Sequence, residues 1–185
     1  MASGKVAPLV KELLIAEAWL PGGGSILCTA GNRLSLLLLA GGPRLRTILD
    51  TSYGKGDFRF SPDGQYVVYV SNESGQDEVY VASFPTFAAK RKVSSNGGRY
   101  PAWAKGGQEI LYLVADGTLM SAEIRTGSNL VAGTPKLLFK LSGSDLGRFV
   151  VTANGKRFLI NEPVQKPEGE KPEITVVLNW AAGIR

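Results

Sequence analysis

Apolar residues in this chain gather in short runs bounded by turns, and the clearest are LLLL (36–39), VVYV (67–70) and ILYLV (110–114). Each run is apolar on consecutive positions, which is the pattern of a strand covered on both faces. An open sheet with one wet face would alternate instead. The stretch RFSPDGQYVVYVSNESG (59–75) shows the full local design. A strand ends at Phe60, a tight Ser61-Pro62-Asp63-Gly64 turn follows, a second strand runs from Tyr66 to Val70, and a polar turn closes the unit.

The same pattern recurs. Aligned on the turn glycine, the chain reads AWLPGG (18–23), RFSPDG (59–64), AWAKGG (102–107) and VVTANG (150–155), so that Gly23, Gly64, Gly107 and Gly155 stand 41, 43 and 48 residues apart. Four residues before each glycine stand Trp19, Phe60, Trp103 and Val151. Three and five residues after it stand Ile26 and Cys28, Val67 and Tyr69, Ile110 and Tyr112, and Phe158 and Ile160. Side chains alternate along a strand with period two, so these are same-face positions on the arms of four hairpins.

A third strand is expected in every unit, at 34–38, 78–82, 119–124 and 174–178, and a fourth strand in three of them, at 44–49, 90–94 and 135–139. Four antiparallel strands per repeat of this length are the content of a propeller blade. The expected fold class is therefore all-β: a β-propeller of about four four-stranded antiparallel blades, forming a partial propeller. The chain reads as a single segment over 1–185, with units near 8–49, 50–95, 96–140 and 141–182. An immunoglobulin-type sandwich predicts no such register of glycines. Residues 7–14, just ahead of the first unit, read as an outer strand.

Composition narrows the chemistry. Histidine is absent, which removes Ser-His-Asp and Cys-His nucleophile systems and the commonest zinc ligand. No G-x-S-x-G, Walker A or EF-hand pattern occurs, so no catalytic residue, metal or cofactor is expected. The single cysteine, Cys28, lies in an apolar strand and reads as a buried bystander. The net charge of +5 is spread along the chain, apart from Lys90-Arg91-Lys92, which reads as a solvated edge strand. Nucleic-acid binding is not expected. No apolar run is long enough to span a membrane, and Lys11 and Glu12 interrupt the N-terminal apolar run where a secretory leader would need continuity. Asp63, Glu73 and Asp116 read as turn residues capping their own backbone, and Asp77-Glu78 and Glu168-Gly169-Glu170 as solvated pairs. Trp19 and Trp103 are expected in the blade core; with Trp180 they would otherwise suggest a stacking platform.

The Ser-Pro-Asp-Gly turn with its preceding aromatic, together with NESGQDEVYVASF (72–84) and YPAWAKGGQEILYL (100–113), resembles the WD-repeat-like blades of the TolB-type propeller family. The likeness is greatest to propellers at the C-terminal ends of some bacterial serine/threonine kinases, and it extends over roughly residues 8–182. Only the second unit has the full SPDG. The resemblance implies a non-enzymatic binding or scaffold module of a signalling protein, with a protein or peptide partner. The alternative is a regulatory or substrate-gating propeller of a prolyl-oligopeptidase-like hydrolase whose catalytic domain is absent.

The first strand of a propeller blade lines the central channel, and its leading end lies at the rim where partners dock. That places Asp57, Phe58, Arg59, Arg99, Tyr100, Pro101, Arg148 and Phe149 near the channel. The candidate recognition set is Asp57, Arg59, Arg99, Tyr100 and Arg148, because Arg and aromatic side chains suit protein or anion recognition. The same residues could equally do no more than solvate a channel. Members of the resembled family have six or more blades, so a four-blade arc is expected to self-associate through its uncovered ends.

Overall fold

The computed structural model describes residues 10–127, 129–141 and 149–160, and the backbone of 175–178. Each repeat forms its own antiparallel sheet. The first blade is β1 (Ile15–Trp19), β2 (Ser25–Ala30), β3 (Arg33–Leu38) and β4 (Arg44–Asp50), in that spatial order. The second is β5 (Lys55–Phe60), β6 (Tyr66–Ser71), β7 (Glu78–Ser83) and β8 (Lys90–Lys92). In the third, β9 (Arg99–Ala104), β10 (Glu109–Leu113) and β11 (Thr118–Arg125) are followed by two short strands, β12 (Val131–Ala132) and β13 (Lys136–Lys140), both paired with β11. The fourth blade contains β14 (Phe149–Val151), β15 (Arg157–Ile160) and β16 (Thr175–Leu178). The Lys90–Lys92 run lies exposed on the outer edge of its sheet, where charge discourages pairing with another chain.

Blades join through three apolar cores, and the repeat register states which residue faces which neighbour. Phe60, Val67 and Tyr69 pack on the first blade with Leu27, Leu34 and Leu36. Trp103, Ile110 and Tyr112 pack on the second with Val68, Val70, Val79 and Val81. Val151, Phe158 and Ile160 pack on the third with Leu111, Leu113 and Leu119. Positions four before and three and five after the turn glycine therefore face the preceding blade, and the interleaved positions face the next. This is why the second and third strands are apolar on both sides, each fully buried Val or Leu contributing about 1.5–3 kcal/mol. The inner strands pack in succession, β1 on β5, β5 on β9 and β9 on β14, which lays the blades out as an arc. No packing of comparable extent joins β14 back to β1 among the described residues.

The turn glycines have two reasons to be glycine. Gly64, Gly107 and Gly155 adopt φ of 70°, 95° and 72°, in the left-handed region that costs an L side chain energy. Each also sits against the turn of the preceding blade, where a Cβ would lie 3.1 Å from Pro21 Cγ, 3.2 Å from Pro62 Cδ and 3.4 Å from Lys105 Cγ respectively. The residue two places before one glycine thus abuts the next glycine along the arc.

The SPDG turn is also a side-chain network. Ser61 Oγ donates to Asp63 Oδ1 at 2.6 Å, and Asp63 Oδ1 accepts the Gln65 N–H at 3.0 Å. TANG reproduces it: Thr152 Oγ1 donates to Asn154 Oδ1 at 2.7 Å, which accepts the Lys156 N–H at 3.0 Å. A hydroxyl and a short carbonyl-bearing side chain at these two places are what the turn requires, so TANG carries the same chemistry as SPDG in different letters.

Two expectations fail. Residues 10–14 form bends and irregular chain, not an outer strand; Leu13 is 94 % exposed, so the segment buries no apolar face that would hold it to a sheet. Ala7, Pro8 and Leu9 lie outside the described residues. Trp19 is 60 % exposed and not in a core, because its register points it toward a preceding blade and the first blade has none among the described residues. Trp180 and Glu168-Gly169-Glu170 lie outside the described residues. Among the described residues no helix is long and apolar enough to cross a membrane.

Candidate recognition groove on the inner strands

The inner strands carry a repeated distortion. The β5–β6 register shifts between Gly56 and Arg59, the β9–β10 register shifts between Leu111 and Leu113, and β1–β2 is irregular between Ala16 and Ala18. Within the first two bulges Asp57 and Tyr100 hold φ of 55° and 54°, and both stand seven residues before their turn glycine. Left-handed conformations are uncommon for residues other than glycine, and bulges in strands re-aim side chains.

Below these bulges the inner strands of blades two, three and four enclose a groove of about 480 Å³. Its walls include Arg59, Phe60, Tyr100, Trp103, Phe149 and Val150. The groove is aromatic and apolar, and Arg59 is the one charged side chain among the described residues lining it. Arg59 is half-buried, and its Nη1 donates to the Phe58 carbonyl at 2.7 Å, which fixes the guanidinium near the backbone. The Trp103 indole N–H donates to the Arg59 carbonyl at 2.9 Å, so this Trp both anchors blade three on blade two and forms a wall. A guanidinium set among aromatic faces favours a carboxylate flanked by apolar groups.

The candidate residues fall in different places. Arg59 and Tyr100 share the groove. Asp57 is half-buried in the β5 bulge. Arg99 lies exposed at the rim and pairs with Asp77 at 2.7 Å, bridging from blade three to the β6–β7 turn of blade two. Phe58 is fully buried and stacks on Tyr69, with ring centroids 5.3 Å apart, so it belongs to the core. Arg148 lies outside the described residues. Phe60, Trp103 and Val150, absent from the candidate set, stand four or five places before their turn glycines, and the repeat register was the signal that could have found them.

The rim is held by polar contacts between blades. Lys55 Nζ donates to the Asn32 carbonyl of blade one at 3.0 Å and to the Tyr53 carbonyl at 3.1 Å, and also meets Thr51 Oγ1. Burial lowers the Lys55 pKa, partly countered by Asp50 and Glu73. Like Arg99, it is a cation on an inner strand reaching back to the preceding blade.

Two carboxylates differ from expectation. Glu73 does not cap its own backbone but receives both contacts of Lys90 Nζ, at 2.7 and 2.8 Å, because the β8 edge strand brings that lysine alongside. Glu78 is not solvated: it is 1 % exposed and accepts from Ser94 Oγ, from the Gly97 N–H at 3.1 Å and from Gln76 Nε2 at 2.8 Å. Burial alone would raise its pKa, but these donors and nearby Lys92 hold it below its ordinary value. The carboxylate ties the 94–98 connection between blades two and three to β7, and Ser94 Oγ accepts the Val79 N–H at 2.7 Å. By contrast Asp63 and Asp116 do cap their turns, accepting from the Gln65 and Thr118 N–H groups at 3.0 Å. Cys28 is buried, and burial followed by Glu17 raises its thiol pKa. No group of three or more metal-ligating side chains occurs among the described residues.

No protein-family model and no curated protein matches the chain. Solved structures do. A protein assigned as TolB in Agrobacterium tumefaciens superposes with a TM-score of 0.66 at 21 % identity, over 83 % of this chain and 55 % of that one. TolB from Acinetobacter baumannii superposes with a TM-score of 0.64 at 20 % identity, over 90 % of this chain and 41 % of that one. A luciferin-regenerating enzyme gives 0.58 at 13 %, over 91 % and 64 %. The chain thus spans about half the length of the solved TolB structures it matches. An enzyme shares the fold, so the fold by itself assigns no activity. At these identities the likeness establishes architecture: the chain has the fold of a TolB-type β-propeller, as an arc of its blades.

Proposed function

We propose that this chain is one non-enzymatic propeller segment that binds a protein or peptide through the groove on its inner strands. The observation that carries the reading is the groove itself, where Arg59, Phe60, Tyr100, Trp103 and Phe149 from three blades converge around a single guanidinium. Aromatic and Arg side chains dominate the energetics of recognition surfaces. The preferred ligand is a segment that presents a carboxylate beside apolar side chains. Arg99, exposed at the rim, and Asp57, half-buried in the β5 bulge, would contact the flanks of such a segment. The context we favour is a bacterial signalling protein, and what supports it is the resemblance of the repeats, over roughly residues 8–182, to propellers at the C-terminal ends of some bacterial serine/threonine kinases.

The test is affinity capture from bacterial lysate with mass spectrometry, comparing the natural chain with Arg59→Ser/Tyr100→Ala. The double variant is expected to retain the captured partner at least about ten-fold less well, as for hot-spot residues, with its circular dichroism retained and its melting temperature lowered by the loss of the Tyr100 ring from the third core. Equal capture by both chains contradicts the groove as the binding site.

A further inference from the structure

A cavity of about 820 Å³ lies against blade three and shares no described lining residue with the groove. Its walls include Lys105 of the AKGG turn, Glu109 of β10, Ser121, Glu123 and Arg125 of β11, and Lys136 of β13. Glu109 stands opposite Glu123, Leu111 opposite Ser121 and Leu113 opposite Leu119, and Ser121 also stands opposite Lys136. Side chains alternate along a strand, so all of these share the face of blade three that turns toward blade four. Leu111, Leu113 and Leu119 at one end of that face pack into the junction core with Phe149 and Phe158. The other end is polar. The places of Glu109, Ser121 and Glu123 are held by Ser25, Leu36 and Leu38 in blade one and by Tyr66, Val81 and Ser83 in blade two. None of those is charged, and Leu36, Leu38, Tyr66 and Val81 pack into junction cores. Two carboxylates directly opposite each other on a sheet repel, an unfavourable pairing that the first two blades avoid. Such departures from local rules concentrate where a protein binds something.

The charges of the cavity are held in place. Glu109 Oε1 accepts from the buried Ser121 Oγ at 2.6 Å and from Lys105 Nζ at 2.9 Å. Glu123 Oε1 meets Arg125 Nε at 3.3 Å. Each carboxylate thus has its own cation, and its second oxygen lies outside these contacts. Lys136 has no carboxylate partner among the described residues, which leaves one cation in excess. We propose that this cavity binds a small hydroxyl-rich anion, of the class of a sugar acid or a sugar phosphate. Lys136 selects the anionic group. The second oxygens of Glu109 and Glu123 accept from ligand hydroxyls, while Gln108, Thr126 and Thr134 on the same walls both donate and accept. Ile124 is the one large apolar side chain among the described residues lining the cavity and no aromatic ring is among them, so an apolar ligand gains little there. Three cations around two carboxylates oppose a metal ion. The volume falls within the roughly 300–1,000 Å³ of small-molecule sites. The inference goes beyond the groove reading and does not depend on it.

The test is isothermal titration of the full chain with four probes: glucuronate, glucose 6-phosphate, glucose and inorganic phosphate. Saturable one-to-one binding is expected for glucuronate, glucose 6-phosphate or both, and the tighter of the two identifies the anionic group. Glucose lacks the charge and phosphate lacks the hydroxyls, so each is expected to bind at least about ten-fold more weakly, as for loss of hydrogen bonds to charged groups. Lys136→Gln is expected to weaken the sugar anion by a similar factor with the melting temperature unchanged, because Lys136 is exposed. Glu109→Tyr/Ser121→Val installs the residues of blade two and is expected to abolish binding with the circular dichroism retained. No saturable binding of any probe overturns the proposal. So does undiminished binding by Lys136→Gln, which would put the ligand elsewhere. Glucose binding as tightly as the anions removes the role of the excess cation, and inorganic phosphate binding as tightly as the sugar anions means an adventitious ion only; both reject the ligand class. Arg59→Ser/Tyr100→Ala is expected to bind the sugar anion like the natural chain, which separates failure of this site from failure of the groove.

Discussion

At the scale of single residues, Trp103 and Glu78 carry the most structure, and both effects can be measured. Trp103 fills the junction of blades two and three and donates to the Arg59 carbonyl. Trp103→Ala should cost about 3 kcal/mol, the lower end for a large aromatic because the side chain is half-buried; Trp103→Phe should cost only about 1 kcal/mol, for the lost hydrogen bond. Equilibrium urea denaturation checks both, and an unchanged midpoint for Trp103→Ala would refute the register. Glu78 is held below its ordinary carboxylate value in the folded protein, so its stabilisation is present above the unfolded value of about 4.5 and is lost as pH falls through the lower folded value. Glu78→Gln should therefore lower stability at pH 7 and flatten the stability profile below about pH 4.5. A profile as steep as that of the natural chain would contradict the ionised latch. Beside it, Gly98 has no room for a side chain: a Cβ would lie 2.9 Å from both Tyr112 Cδ2 and Val79 Cγ2. Gly98→Ala should cost about 1–3 kcal/mol as overpacking, read by the same denaturation.

At the scale of elements, the turns were the most legible feature, because a glycine at positive φ next to a strand pair leaves a mark in sequence that packing alone does not. The hydroxyl and Asp/Asn pair was visible in SPDG, and its equivalence in TANG emerged only from the shared hydrogen bonds of Thr152 and Asn154. Asn154→Ala should cost about 1 kcal/mol and Asn154→Asp almost nothing, which thermal melts of the two variants compare directly. Other features were not legible at this scale because they depend on which element lies next door in space. Asp77-Glu78 alternates across a strand and reads as solvated, yet the loop from Ser94 to Gly98 folds over Glu78 and supplies its donors. Asp57 and Tyr100 each sit in a bulge of their own inner strand at a positive φ that no residue type announces. Arg99 read as a recognition residue from its place on the rim, and the ion pair with Asp77 of the preceding blade needed both blades in place to be seen.

At the scale of the whole molecule, four aligned glycines were enough to derive the arc of blades. The same alignment named the residues that face across each junction, but not whether a neighbour exists to meet them. That gap accounts for Trp19, which has the register of a core residue and the exposure of a surface one. It also explains why the groove was only partly foreseen: its walls come from three successive inner strands, and residues such as Phe60 and Trp103 serve two blades at once. The central claim is that consecutive blades stack in one fixed register, with the residue two before each turn glycine set against the next turn glycine. The direct measurement is disulfide trapping in the Pro21→Cys/Gly64→Cys variant, where the two Cβ positions are 3.4 Å apart; Cys28, buried with its thiol pKa raised, stays out of the reaction. Oxidation should consume both introduced thiols within a single chain and raise the unfolding midpoint. Two free thiols persisting after oxidation of a folded chain would contradict the register and the arc built on it.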